Sequence, residues 1–328
     1  MKRLLLVSIC LFIPAVQAAI SKPIGERLPW VEKRLKISDE LTLDYVEQGS
    51  AAGIPVVFLH GYSDSWHSYE GVLAHLPRSV HAYVLSQRGH GNSSRPASGY
   101  HPDDFADDVA AFMNKLGIRE ATIVGHSLGG TIAQSFATRY PKKSRALVLV
   151  GSFADYRKPV IDELSQLVAT LKDPVDSAFV RDFQQSTLVR PVSKTFFAMA
   201  VQESMKLPAY VWRQVMEGIQ KSDYTESLKH IRIPTLLVWG DRDQFAVEQD
   251  QQKLNAVIAG SKRLTYTGTG HSVHWEDPEQ FAKDLLDFLA LLDDPIPGRK
   301  PAENRTQRPS HNNYHHQALH NYHHQGLH

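Results

Sequence analysis

The chain is almost devoid of cysteine. Its 328 residues contain one, Cys10, which lies in an apolar run close to the N-terminus. A single cysteine excludes a framework of intramolecular disulfides. If the N-terminal segment is removed, as its pattern predicts, no cysteine is left to serve as a nucleophile or as a thiolate ligand for a metal.

The sequence also lacks an excess of charge of either sign. Lys and Arg number 36 and Asp and Glu 35, which gives a formal net charge of +1. Neither nucleic acid nor an anionic surface is therefore indicated as a partner. Hydrophobic residues make up 42% and charged residues 22%, values typical of a soluble globular protein.

Hydrophobic runs long enough to span a bilayer are missing as well. The longest, Leu4 to Val16, is short for a membrane span. Two basic residues precede it, and Val16-Gln17-Ala18 follows as a small-residue cleavage site. Residues 1–18 are therefore predicted to be a signal peptide, with the mature protein periplasmic or secreted and without a stable membrane span. An uncleaved membrane anchor is the alternative.

The C-terminal segment, residues 293–328, has little apolar periodicity. From Pro295 on, Pro, Asn, Arg and Gln dominate, and the chain ends in NYHHQALH followed by NYHHQGLH. This composition predicts a disordered, histidine-rich tail. Such a tract can bind Zn, Ni or Cu through neutral imidazoles, but we favour a local duplication without a metal-binding role.

Apolar strands alternate with amphipathic helices over most of the remaining chain. This alternation predicts an α/β fold with a mostly parallel sheet flanked by helices. Residues 41–49 alternate between apolar and polar side chains and predict an antiparallel edge strand. The other strands are predicted at 54–61, 80–91, 145–153, 233–241 and 261–267, and a further strand that breaks into a glycine turn at 121–130. The helices are predicted at 105–117, 128–141, 249–260 and 278–292.

A helical block interrupts the alternation at about residues 154–230. It has no strand signal, and it follows the predicted strand at 145–153. Because ligands bind beyond the carboxyl ends of the strands in open α/β sheets, we expect this insertion to cap the site. Its large apolar residues predict either a core of the cap itself or a pocket for an acyl or aryl group: Phe153, Tyr156, Phe179, Phe183, Phe196, Phe197, Met199, Met205 and Trp212.

The strongest single motif is Gly125-His126-Ser127-Leu128-Gly129, which fits G-x-S-x-G. It follows a predicted strand and opens a predicted helix, the context that a nucleophile elbow requires. The turn is so tight that side chains on either side of the serine would collide with backbone, and glycine removes the collision. Ser127 is therefore the candidate nucleophile.

A serine hydroxyl needs a base, and the base needs an orienting carboxylate. In folds with this elbow, the acid and then the histidine follow the serine along the chain. Gly240-Asp241-Arg242-Asp243 follows a late strand and offers two candidate acids. The stretch at 267–281 offers two candidate bases, His271 and His274, on a loop that connects a strand to a helix.

Five motifs together resemble the α/β-hydrolase family. The resemblance covers nearly all of residues 30–292 and is greatest to cap-bearing, cofactor-free serine esterases and perhydrolase-type members. It implies a hydrolase domain over residues 19–292 that needs neither a cofactor nor a metal. The motifs are HGYSDSW at 60–66, QRGHGNS at 87–93, GHSLGG at 125–130, WGDRD at 239–243 and GTGHSVHWEDPEQF at 268–281.

The resemblance also implies roles for individual residues. It implies Asp243 as the orienting acid and Asp241 as a turn residue that bonds its own backbone. It implies His271 as the base and His274 as a packing or pocket-wall residue. The expected oxyanion donors are the backbone N–H groups of two further residues, Leu128 and Tyr62.

Other residues of the motifs have structural interpretations. His60, His90 and His126 are expected to be buried, hydrogen-bonded histidines without a catalytic role. Ser86 departs from the family pattern, which carries Asp there. The contact by which that Asp stabilises the loop is therefore in doubt.

The sequence predicts a serine carboxylesterase acting on small to medium apolar, ester-like small molecules. Lactone hydrolysis, peracid formation and hydrolysis of carbon–carbon bonds are alternatives on the same triad. A ligand sensor that keeps the fold without turnover is an alternative of another class.

Overall fold

The computed structural model describes residues 28–293. The predicted signal peptide and the histidine-rich tail after Asp293 lie outside the described residues, so both stay predictions. Within the described part of the chain, no helix is both long enough and apolar enough to cross a membrane.

An eight-stranded sheet forms the centre of the molecule, in the order β1-β2-β4-β3-β5-β6-β7-β8. Strand β2 runs antiparallel to both of its neighbours, and the pairs from β4 to β8 are parallel. The predicted α/β class with a mostly parallel sheet is confirmed. The strands are β1 Val31–Lys36, β2 Thr42–Gln48, β3 Ile54–Leu59, β4 Val80–Ser86, β5 Ala121–His126, β6 Ser144–Val150, β7 Thr235–Gly240 and β8 Lys262–Tyr266.

The prediction of an antiparallel edge strand at 41–49 was wrong about the edge. Strand β2 is antiparallel but internal, because β1 pairs with it from Val31 opposite Glu47 to Lys36 opposite Thr42. The sequence of β1, VEKRLK, leaves most of its side chains exposed and carries no apolar alternation. Charged, lysine-bearing edge strands are typical because they discourage pairing with other chains.

Helices cover both faces of the sheet. Alternate residues of β3 face two separate cores: Val57 and Leu59 pack towards α2 and α3, and Val56 and Phe58 towards α1 and α11. The helices are α1 Glu70–Leu73, α2 Pro102–Lys115, α3 Leu128–Arg139, α4 Pro159–Ala169, α5 Ser177–Ser186, α6 Lys194–Met205, α7 Ala209–Gln220, α8 Thr225–Leu228, α9 Glu248–Val257, α10 Val273–Glu276 and α11 Pro278–Asp293.

Five helices, α4 to α8, lie between β6 and β7, where the helical block was predicted. We call them the cap helices. Trp212 of α7 is fully buried, and its ring packs edge-on against Tyr62, with the ring centroids 4.9 Å apart. The Tyr62 hydroxyl donates to the Trp212 carbonyl at 2.6 Å. The cap helices are thus fixed to the loop that follows β3.

Candidate active site

Ser127 lies at the sharp turn between β5 and α3. Its backbone has φ 51° and ψ −113°, a strained conformation for a residue other than glycine. A Cβ on Gly125 would stand 2.1 Å from the Gly129 carbonyl oxygen, and one on Gly129 would stand 2.1 Å from the Leu59 carbonyl oxygen. Both positions therefore require glycine, and the predicted steric origin of the motif is confirmed.

The structure pairs one of the two candidate histidines with one of the two candidate acids. His271 Nδ1 lies 2.8 Å from Asp243 Oδ2, and both side chains are almost completely buried. The other oxygen, Asp243 Oδ1, accepts the backbone N–H groups of Phe245 and Ala246 at 2.8 and 2.9 Å. Because a carboxylate only accepts, Nδ1 of His271 carries the proton, and Nε2 is left to act as a base.

Asp241 has a different partner. Its Oδ1 accepts the backbone N–H of Gly268 at 2.6 Å, which ties the end of β7 to the turn after β8. Asp241 therefore has a structural role, but the expectation that it bonds its own backbone was wrong, because its partner lies in a distant turn.

His274 lies away from the acid. The expectation that both histidines lie on a loop was wrong, because His274 belongs to the one-turn helix α10. Its Nε2 lies 3.1 Å from Ser68 Oγ, and its ring packs 4.5 Å from that of His126, centroid to centroid. Burial, with a smaller contribution from the charge of His271, lowers the pKa of His274 to about 3. His274 is thus a packing residue that stays neutral.

Ser127 and His271 line the same cavity, together with Tyr62 and Leu128. The cavity has a volume of about 30 Å³, close to the space of one water molecule. Among the described residues, the side-chain partner of His271 is Asp243, so no hydrogen bond joins His271 to Ser127. Hydrogen bonds of this kind are often long in free enzymes and shorten when substrate binds.

The two predicted oxyanion donors both border this cavity. Leu128 is the first residue of α3, where a backbone N–H has no partner within the helix. Tyr62 lies in the loop after β3, next to Ser63, whose φ of 67° is also strained. Both residues thus border the space next to Ser127. Their role stays a prediction.

The remaining walls of the cavity are mostly apolar. Of the nine large apolar residues singled out in the sequence, three line this cavity, namely Phe153, Tyr156 and Phe183. Two others pack elsewhere: Phe179 contacts Trp212, and Phe196 contacts Trp275. The sequence could not separate these groups, because both consist of aromatic residues and one helix, α5, contributes Phe183 to the first group and Phe179 to the second.

Two residues of the site were missed by sequence reasoning. A Cβ on Gly151, where φ is 51°, would stand 2.8 Å from the His271 carbonyl oxygen and 3.0 Å from its Nδ1. Gly151 falls inside the strand predicted at 145–153, so it gave no separate signal. Asp64, in the loop after β3, is buried and borders a second cavity beside Ser127. Its position within HGYSDSW, two residues after a predicted oxyanion donor, was the available signal.

Three consecutive residues at the end of β4 and the start of the loop after it form polar contacts, although Ser86 stands where the family pattern carries Asp. Ser86 Oγ accepts the Trp66 backbone N–H at 3.2 Å. Arg88 forms a paired contact with Asp108 at 2.6 and 2.5 Å. The Gln87 backbone N–H donates to Nε2 of the buried His60 at 3.0 Å. The structural interpretation of His60 is confirmed.

The fold and the elbow define the class of protein. A family model described as the alpha/beta hydrolase fold matches residues 54–278, and the chain therefore belongs to the alpha/beta hydrolase fold family and is a hydrolase. Within residues 28–293, no group of three or more His, Cys, Asp or Glu side chains is arranged to hold a metal ion.

The relatives agree with this assignment. The chain is 27% identical over 269 residues to a bifunctional esterase/perhydrolase of Acinetobacter calcoaceticus, a match that covers 76% of this chain and 97% of the relative. It is also 27% identical over 277 residues to a non-heme chloroperoxidase of Kitasatospora aureofaciens, again covering 76% and 97%. An esterase structure from Exiguobacterium antarcticum has the same fold, with a TM-score of 0.72 and 20% identity over 79% of this chain and 100% of that one.

Proposed function

We propose that this protein is a serine carboxylesterase that acts on small to medium apolar esters. The observation that carries the proposal is the convergence of a strained Ser127 and a buried His271–Asp243 pair on one apolar cavity. The esterase/perhydrolase among the relatives is consistent with it.

In the proposed reaction, Ser127 Oγ attacks the ester carbonyl while His271 Nε2 takes its proton. The carbonyl oxygen becomes an oxyanion, which the backbone N–H groups of Leu128 and Tyr62 stabilise. His271 then gives the proton to the leaving alcohol, and an acyl group stays on Ser127. Water attacks this acyl-enzyme with His271 again as base, and the acid is released. Asp243 holds the imidazole in the required tautomer throughout.

The size and lining of the cavity favour short acyl chains. Its volume is about 30 Å³, and Phe153, Ile161 and Met216 border it. Any acyl chain would have to displace these buried side chains or open the cap helices, and a longer chain would have to displace more of them. We therefore expect kcat/KM for p-nitrophenyl acetate and butyrate to exceed that for the octanoate by at least about tenfold, since each misplaced methylene costs on the order of 1 kcal/mol.

A matched pair of methionine variants tests the role of the cavity. Met216→Ala enlarges it and should shift the preference towards the longer chain, whereas Met199→Ala, outside the cavity walls, should not. Folded protein that hydrolyses no ester in the series would contradict the proposal and favour a ligand-binding role. If the protein prefers a lactone or forms a peracid, the carboxylester is not its main substrate, but the same triad still performs the reaction.

A further inference from the structure

Ser127 and His271 lie where two cavities meet. The apolar cavity described above is one of them. The second has a volume of about 20 Å³ and shares Tyr62, Ser127, Phe183, Thr187 and His271 with the first. Its own walls are polar and are formed by Asp64, His126, Gln184 and Ser272.

Two polar atoms of these walls are buried without a hydrogen-bond partner among the described residues, His126 Nδ1 and Ser272 Oγ. Because His126 Nε2 lies 3.1 Å from the His271 carbonyl oxygen, Nε2 carries the proton and Nδ1 is an acceptor. Buried polar atoms without a protein partner are uncommon in native proteins, and an ordered water is one of the groups that can satisfy them.

The carboxylate of Asp64 adds a third polar group. Gln184 Nε2 donates to its Oδ1 at 2.9 Å. Its Oδ2 and His126 Nδ1 lie 3.0 and 2.7 Å from the point where a Cβ on Gly61 would stand. Both atoms therefore pack close to the Gly61 backbone, and Asp64 and His126 both line the polar cavity. Ser68 Oγ also donates to Asp64 Oδ2, at a long 3.5 Å.

We propose that the polar cavity binds the water molecule that hydrolyses the acyl-enzyme, and that Asp64 positions this water. The inference rests on the proposed function. A volume of about 20 Å³ admits one water, and Asp64, His126 and Ser272 supply the polar partners that a buried water requires. His271, on the wall of the same cavity, is in place to act as base.

The step balances as follows. The water oxygen forms a bond to the acyl carbon on Ser127 while one of its protons moves to His271 Nε2. The other O–H of the water donates to Asp64 and stays on the oxygen. The tetrahedral intermediate then breaks its bond to Ser127 Oγ, which takes the proton from His271, and the carboxylic acid leaves.

The electrostatics of Asp64 agree with this role. Burial raises its pKa to about 7, and the hydrogen bond from Gln184 and the charge of His271 oppose the rise. The positive charge that His271 gains during attack by water therefore favours the ionised Asp64 that accepts from this water. A competing interpretation is that Asp64 only anchors the cap helices, since Gln184 also donates to Ser204 Oγ of α6 at 2.7 Å.

Asp64→Asn separates the two interpretations when acylation and deacylation are measured individually with p-nitrophenyl acetate. Stopped-flow release of p-nitrophenol, with enzyme in excess, gives acylation. Decay of the acetyl-enzyme, followed by intact-protein mass spectrometry, gives deacylation. We expect deacylation to slow on the order of 10- to 100-fold, as for a misplaced reactant, and acylation to change less than about threefold.

Ser204→Ala is the matched control, because it removes the contact between Gln184 and α6 without touching the cavity. It should leave the ratio of the two rates unchanged. If Asp64→Asn does not fold, Ser272→Ala removes another polar group of the cavity, and it should slow deacylation alone.

Equal losses in both steps, or no loss in either, would overturn the proposed water site. Failure of the proposed function is a distinct result: wild-type protein would then form no acetyl-enzyme at Ser127. Acetylation of Ser127 with normal deacylation in Asp64→Asn would contradict the water site alone.

Discussion

Ser127→Ala is expected to lower kcat/KM for p-nitrophenyl acetate by about 10⁴-fold or more. The elbow holds this hydroxyl in a strained backbone at the junction of β5 and α3, so no neighbouring hydroxyl can take over the attack. Removal of a serine nucleophile leaves only the catalysis that the oxyanion donors and substrate binding provide. The measurement is steady-state kinetics on variants shown to be folded by circular dichroism.

The two histidines provide a matched comparison in the same assay. His271→Gln should lower kcat/KM for p-nitrophenyl acetate nearly as much as Ser127→Ala does, because the glutamine amide cannot act as a base. The double variant should lose little more than either single one, since the two groups act as a unit. His274→Gln should lose less than about tenfold, because this residue contacts Ser68 and no reacting group. Equal losses at the two histidines would contradict the assignment.

Acidification from pH 7 to pH 4 is expected to destabilise the fold by several kcal/mol. Burial lowers the pKa values of four histidines below the ordinary 6.5. Between that value and the folded-state values, the unfolded chain binds more protons than the folded one, so the free energy of unfolding falls with pH. Each histidine contributes up to about 3 kcal/mol of this loss by pH 4. They are His60, His90 with a pKa of about 4, His126, and His274 with a pKa of about 3.

Asp64 works in the opposite sense. Burial raises the pKa of Asp64 to about 7, so on acidification the folded state binds this proton before the unfolded state does. Protonation of Asp64 therefore stabilises the fold by about as much as one histidine destabilises it. Burial raises the pKa values of Asp44 and Asp108 too. We expect the four histidines to prevail, because they outnumber the three aspartates whose pKa burial raises.

Urea unfolding at pH 8, 6, 5 and 4 measures this loss. His274→Gln should reduce the slope of stability against pH below 6, whereas His230→Gln, at an exposed position, should leave it unchanged. Stability that is constant or rising from pH 7 to pH 4 would contradict the burial of neutral histidines.

The backbone geometry around Ser127 could be predicted from the sequence. The tight turn at Ser127 and its glycines could be inferred because the constraint is local: the strand, the turn and the helix follow one another directly along the chain. The parallel strands could be inferred because both of their faces are buried, which leaves continuous apolar runs. The pairing of His271 with Asp243 was implied by resemblance rather than by chemistry, since Asp241 and His274 lie next to them in the sequence.

The polar contacts between distant segments could not be predicted. Asp64 and Gln184 are 120 residues apart, and nothing in either segment indicates that they meet. Strand β1 was missed for a different reason: an edge strand with mostly exposed, charged side chains carries no apolar pattern. The contact between Asp64 and Gln184 depends on tertiary packing, and strand β1 depends on its pairing with β2.

Labelling with a fluorophosphonate probe, with the modified residue mapped by mass spectrometry, tests the central claim most directly. The account predicts one label, on Ser127, that is lost in His271→Gln and kept in His274→Gln. A label on another residue, undiminished labelling of Ser127 in His271→Gln, or no label on the folded protein would contradict an activated serine at this site.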